Sequence, residues 1–248
     1  MQALECSDVS TIIGESLKMS VSTVKDNLDS VRSRIAQAAS IAGRSVDEIT
    51  LVAVSKTHST DAVREAVAAG QMVFGENKVQ EGEWKRPEVG AGEWHLIGHL
   101  QSNKARKAVK IFDVIETVDS VDLVRRLDRI CEEEGRDSLR LFVQVDLGGE
   151  ESKTGADVSE IPGIIAAMSG SKHLRFEGLM TIPPFFEDPE ETRPFFARLR
   201  SLRDELAPGA ALSMGMSHDL EVAIEEGATH VRIGTAIFGS RTKSLEES

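Results

Sequence analysis

Eight short apolar runs alternate with amphipathic helical stretches through most of the 248 residues, no G-x-G-x-x-G follows the first run, and no linker-like composition interrupts the series. These observations predict an α/β protein folded as a single (β/α)8 TIM barrel with an extra N-terminal helix. Strands that alternate with helices must run parallel with right-handed crossovers, and eight such units close most economically into a barrel. A doubly wound open sheet is the alternative; the missing glycine fingerprint and the count of eight disfavour it.

Residues 1–18 are polar and acidic and read as a disordered extension, with Met19 as an alternative start. From Met19 to Ala42 apolar residues recur at helical spacing (Val24, Leu28, Val31, Ile35, Ala38, Ala39) and Gly43 supplies a stop. Strands are expected near 50–56, 72–76, 94–98, 114–119, 140–146, 175–182, 211–216 and 230–234. Helices are expected at 61–69, 102–110, 121–134, 157–168, 190–206 and 218–226, while 77–92 is a weak helix because it carries Gly82, Pro87, Gly90 and Gly92. The irregular stretches 77–93 and 147–156 are short enough for barrel loops. The barrel is thus expected over 19–242, with 243–248 as a tail.

A net charge of -12 and a pI near 5.0 argue against nucleic acid or an anionic membrane as partner, since the far field repels both. Any phosphate must be small and locally cradled. Cys6 and Cys131 offer neither a disulfide framework nor metal spacing, which fits a reducing cytoplasm. No basic n-region opens the chain, and no stretch is apolar for the eighteen or so residues a membrane span needs.

Side chains alternate along a strand, so Val52, Val54 and Lys56 share the barrel-facing side of the first strand, and His230, Arg232 and Gly234 that of the last. Lys56 alone is a common solvated strand-end lysine. Arg232, flanked by apolar residues in mid-strand, is different, because a buried unpaired charge costs several kcal/mol and demands a specific partner. The seventh and eighth strands end in Ser213–Ser217 (SMGMS) and Gly234-Thr235-Ala236. Loops after these two strands commonly bind phosphate in this barrel class. Ser217 also stands at the expected N-cap of helix 218–226. A strand-end amine with two phosphate-suited loops is the set of parts that holds pyridoxal phosphate (PLP) as a Schiff base.

Other constellations carry less. The run Gly215–Asp219 (GMSHD) fails the G-x-S-x-G elbow because Asp219 stands where the second glycine is needed. His95 and His99 have the i, i+4 spacing of a helical zinc pair, but along an extended segment they would lie roughly 13 Å apart. A packed, hydrogen-bonded His95 is the expectation, and no metal site. Lys104, Arg106, Lys107 and Lys110 form a basic helix face expected to be solvated surface.

Six segments then carry a resemblance: AVSKT (53–57), FGENKVQE (74–81), WHLIGHLQSNKAR (94–106), GLMTIPP (178–184), LSMGMSHDLEVAI (212–224) and VRIGTAIFG (231–239). In unbroken order over roughly residues 20–242, the chain resembles the pyridoxal phosphate homeostasis proteins (YggS/PROSC family), relatives of the N-terminal barrel of alanine racemase. Two positions depart from the family pattern: His99, where proline is usual, and His58, where lysine or another polar residue is frequent. The resemblance implies that Lys56 carries the cofactor, Asn77 lies beside it and Arg232 faces the pyridine nitrogen. Ser217, Gly234 and Thr235 would hold the phosphate, with Ser213 and Met214 lining the same wall.

It implies a cytoplasmic, monomeric PLP-binding protein that buffers the cofactor or delivers it to apo-forms of PLP enzymes, with no catalytic residues of its own. The competing classes are a PLP-dependent racemase or lyase, and an aldolase-like barrel enzyme using Lys56. Alanine racemase supplies its second base as a tyrosine from another domain. This chain contains no tyrosine, so racemisation at an enzymatic rate is not expected.

Overall fold

The computed structural model describes residues 22–149 and 154–239. The expected extension 1–18 and tail 243–248 lie outside the described residues. Eight parallel strands close on themselves in sequence order: β1 (Thr50–Val54), β2 (Val73–Glu76), β3 (Glu93–Leu96), β4 (Val114–Val118), β5 (Leu139–Gln144), β6 (Leu174–Met180), β7 (Ala211–Ser213) and β8 (His230–Ile233). Helices α1 (Val24–Ile41), α2 (Thr60–Ala68), α3 (Val79–Val89), α4 (Ala105–Ile111), α5 (Val121–Glu134), α6 (Ile161–Ser169), α7 (Arg193–Leu206), α8 (Leu220–Glu225) and the short α9 (Thr235–Phe238) surround them. Closure is made by β1 on β8, with Thr50 opposite His230 and Val52 opposite Arg232. The predicted barrel is therefore the observed one.

Local chemistry sets the helix ends. Thr23 caps α1 by accepting from the Asp26 N–H, and the Asp26 carboxylate reaches back to the Thr23 N–H. Ser120 caps α5, which closes on Gly135 in the left-handed region. α1 lies against α2, α8 and α9, where Asn27 donates to the Ile237 carbonyl at 2.8 Å. It buries Leu28, Val31, Ile35, Ala38 and Ala39, the stripe its sequence marks out.

The strand spans differ from expectation mainly at their C-terminal ends. Ser55 and Lys56, Ile97 and Gly98, and Met214 to Met216 leave their strands and begin loops. These residues turn away from the ladder to form the mouth of the barrel. Segments 102–104, 158–160 and 189–192 are 3-10 turns feeding α4, α6 and α7, so three expected helices begin in tighter geometry. The weak helix 77–92 is realised as α3, with Pro87 inside it. Packing decides this: a Cβ on Gly82 would stand 2.5 Å from the Phe112 ring, so the absent side chain lets α3 press against α4.

The main apolar core lies between sheet and helices and includes Phe74, Trp94, Phe112, Leu127, Phe196, Val231 and Ile233. Inside the barrel, Val114, Phe142 and Met180 form a separate small cluster. Buried polar side chains, His95, Glu116, Ser213 and Arg232 among them, share that interior.

Candidate functional site

Arg232, 4% exposed on β8, has the partners its mid-strand position demands. Nη1 donates to Ser213 Oγ at 2.7 Å and Nη2 to the Thr181 carbonyl at 2.9 Å. Ser213 Oγ donates in turn to Glu116 Oε2 at 2.5 Å. The other oxygen of Glu116 meets His95 Nδ1 at 2.6 Å, His95 Nε2 meets Glu93 at 2.8 Å, and Glu93 pairs with Arg140. A chain of charges thus crosses the barrel from β5 through β3, β4 and β7 to β8. His230, beside Phe142 and His95, completes its floor.

The electrostatics follow from burial set against partners. Burial alone would raise the Glu116 carboxyl, but the hydrogen bond and charge of His95, with the charge of Arg232, outweigh it and hold the group at about 2. Burial opposes charge on His95, yet the two glutamates lift the ring to about 9. Burial lowers His230 to about 4 and lowers Arg232 as well, against the attraction of Glu116 and Asp219.

A pH dependence follows from the signs. His95 has a folded value above its ordinary one, so its stabilisation is complete below about pH 6.5 and is lost as pH rises through about 9. The shift corresponds to something on the order of 3 kcal/mol. Glu116 acts oppositely, its contribution disappearing only as pH falls through about 2. Thermal melts should show stability declining between pH 6.5 and 9, with the His95 ring titrating near 9 by NMR. A ring that titrates below 7 would contradict the buried ion pair.

Lys56 follows the end of β1, half-buried, and Asn77 follows the end of β2, its carbonyl against Gly98, where a Cβ would come within 2.1 Å. Ser217 and Thr235 follow β7 and β8. Ser217 Oγ accepts from the Ala236 N–H at 3.5 Å, which brings the two loops expected to hold a phosphate together. The Ser217 carbonyl accepts from Arg34, whose guanidinium also pairs with Glu221, tying the loop to α1 and α8. Gly234 packs under Val54, whose carbonyl would stand 3.2 Å from an added Cβ.

Two expectations need correction or refinement. Ser217 does not cap α8: the N-cap position is Asp219, whose carboxylate accepts from the Met216 N–H at 2.6 Å. The helix starts at Leu220, and the Ser217 hydroxyl faces α9 instead. The Met214 side chain is buried in the core between sheet and helices, so it does not line the mouth as expected. His95 is packed and hydrogen-bonded as expected, and His58 stacks on Phe238 with ring centroids 5.2 Å apart. The basic face of α4 is surface, with Arg106 on Glu133 and Glu134, Lys107 on Glu83 and Lys110 on Glu134.

Sequence reasoning missed Glu116, Glu93 and Thr181. Glu116 carried the signal that exposed Arg232, a charge in the middle of an apolar strand (VIETV), and the same argument applied to both would have paired them.

The comparisons with known proteins agree with the barrel fold. Residues 27–242 match the family model described as alanine racemase, N-terminal domain. A pyridoxal phosphate homeostasis protein of Pseudomonas aeruginosa is 43% identical over 224 residues, covering 89% of this chain and 97% of the relative. One from Escherichia coli is 40% identical, covering 89% and 98%. The chain belongs to the pyridoxal phosphate homeostasis protein family. The structure of PipY from Synechococcus elongatus with PLP bound is 42% identical, with a TM-score of 0.76, and covers 88% of this chain and all of that one. A Clostridium difficile alanine racemase matches at 14% identity with a TM-score of 0.69, a likeness of fold alone. Among the described residues no helix is long and apolar enough to cross a membrane.

Proposed function

We propose that this chain binds pyridoxal 5′-phosphate as a Schiff base on Lys56 and buffers it or delivers it to apo-forms of PLP enzymes, as a cytoplasmic monomer, without turning over a substrate. The observation that carries this reading is the convergence at one barrel mouth of the Lys56 strand end, the joined Ser217 and Ala236 loops and the buried, netted Arg232. The residues fit the cofactor. Bound PLP would supply an aldehyde for the lysine amine and an aromatic ring that draws electrons. Ser217, Gly234 and Thr235 would hold the phosphate, with main chain from Ser213 and Met214 behind it, and Asn77 would lie beside the ring. The relatives named for PLP homeostasis and the PLP-bound PipY structure support this reading.

Arg232 favours holding over transformation. A guanidinium only donates hydrogen bonds and stays charged at ordinary pH, so opposite the ring nitrogen it favours the unprotonated ring. The electron sink is then weak, and a proton on an adjacent carbon stays where it is.

The phosphate assignment is tested by two ligands. Hydrogen bonds to a charged acceptor are worth roughly 1.5–3 kcal/mol each, so Ser217→Ala or Thr235→Ala should weaken PLP binding by about tenfold or more. Affinity for unphosphorylated pyridoxal should hardly change. Equal losses for both ligands would mean that these loops act on the ring or the fold instead.

A further inference from the structure

One buried charge cluster lies outside the network of Arg232. Lys85 on α3 is 0% exposed, and its ammonium makes three contacts: to Glu76 at 2.8 Å, to Glu81 at 2.8 Å and to the Ser55 carbonyl at 2.7 Å. A lysine ammonium has three donors, and all three are used. Glu76 Oε1 also accepts from Ser55 Oγ at 2.6 Å, and Glu81 Oε2 accepts from the Thr57 N–H at 2.7 Å. The cluster therefore ends on the residues immediately before and after Lys56.

Thr57 adds a second observation. Its φ of +67° is the sole positive value at a non-glycine residue among the described residues. For a β-branched residue that conformation is strained and persists only where its surroundings hold it. The Glu81 carboxylate on the Thr57 N–H is such a hold.

We infer that Lys85, Glu76 and Glu81 are positioning residues for the carrier amine: they clamp Ser55 and Thr57 so that the Lys56 backbone, and the side chain leaving it, keep one direction at the barrel mouth. The inference rests on the reading of Lys56 as the carrier. Stability alone gives the cluster no reason, because a buried ion triad is commonly no better than apolar side chains of similar volume. Its specific content is the set of main-chain contacts flanking Lys56. Gly82, by letting α3 sit close on α4, helps place Lys85 within reach of β1.

The test compares covalent attachment with non-covalent grip. Full-length protein stripped of cofactor is mixed with PLP, quenched with borohydride at intervals, and the modified Lys56 counted. Affinity for pyridoxine 5′-phosphate, which has the phosphate and ring but no aldehyde, is measured alongside. Displacing a reacting group by about 1 Å lowers rates by on the order of 100-fold. Glu81→Ala should therefore slow attachment about 100-fold and leave pyridoxine 5′-phosphate affinity unchanged. Glu81→Gln, whose amide oxygen still accepts from Thr57, should recover most of the rate.

Lys85→Met combined with Glu76→Gln removes opposite charges together and should slow attachment likewise; should that pair not fold, the two Glu81 variants decide alone. Attachment at the wild-type rate in Glu81→Ala overturns the inference, as does a loss of rate matched by an equal loss of pyridoxine 5′-phosphate affinity. Wild-type protein that takes no cofactor on Lys56 would instead overturn the functional reading beneath it, and the positioning role with it.

Discussion

Glu116→Ala should destabilise the folded protein by about 3–5 kcal/mol, the usual consequence of removing one member of a buried ion pair. The carboxylate accepts from Ser213 and faces His95, and its charge supports the buried Arg232. Its loss leaves two buried cations without their shared counter-charge. For a domain of this size each kcal/mol shifts the melting temperature by roughly 2–4 °C, so a fall on the order of 10 °C is expected in thermal melts at pH 7. Glu116→Gln keeps the acceptor for Ser213 and should lose less than half as much. A change below about 1 kcal/mol in Glu116→Ala would show that the chain of charges is not coupled as the geometry indicates.

Lys56→Ala should remove covalent cofactor binding altogether while leaving a folded barrel. The β1 residues that make the sheet and core, Val52, Ala53 and Val54, are buried, and Lys56 lies beyond them. Truncation there touches the mouth and not the ladder. Non-covalent grip by the Ser217 and Thr235 loops should persist, so the variant should still bind pyridoxine 5′-phosphate. Loss of both ligands together, with native circular dichroism, would place Lys56 in the phosphate cradle.

The barrel was legible because its signals are local. Parallel strands buried on both faces read as continuous apolar runs, and α5 carries its cap, stripe and terminal glycine in its own sequence. The parity argument that set Arg232 inside holds for the same reason, and Val231 and Ile233 lie in the core between sheet and helices. α3 was only half legible: Gly82 and Pro87 argue against a helix, and what favours it is the close approach of the Phe112 ring, thirty residues after Gly82 in the chain. Ser217 was misjudged as a cap because the helix begins later, after Asp219, and the Asp219 N–H that Ser217 would have capped donates to the Met216 carbonyl instead. Lys85 could not be read at all. Its role depends on a serine of the β1 loop and a glutamate of β2 meeting one turn of α3, which only the closed sheet brings together.

The most direct test of the central claim is borohydride reduction of PLP-loaded wild-type protein followed by peptide mapping. The account predicts the phosphopyridoxyl group on the peptide containing Lys56, one per chain. Modification confined to another lysine, with Lys56→Ala still yellow and still reducible, would contradict it.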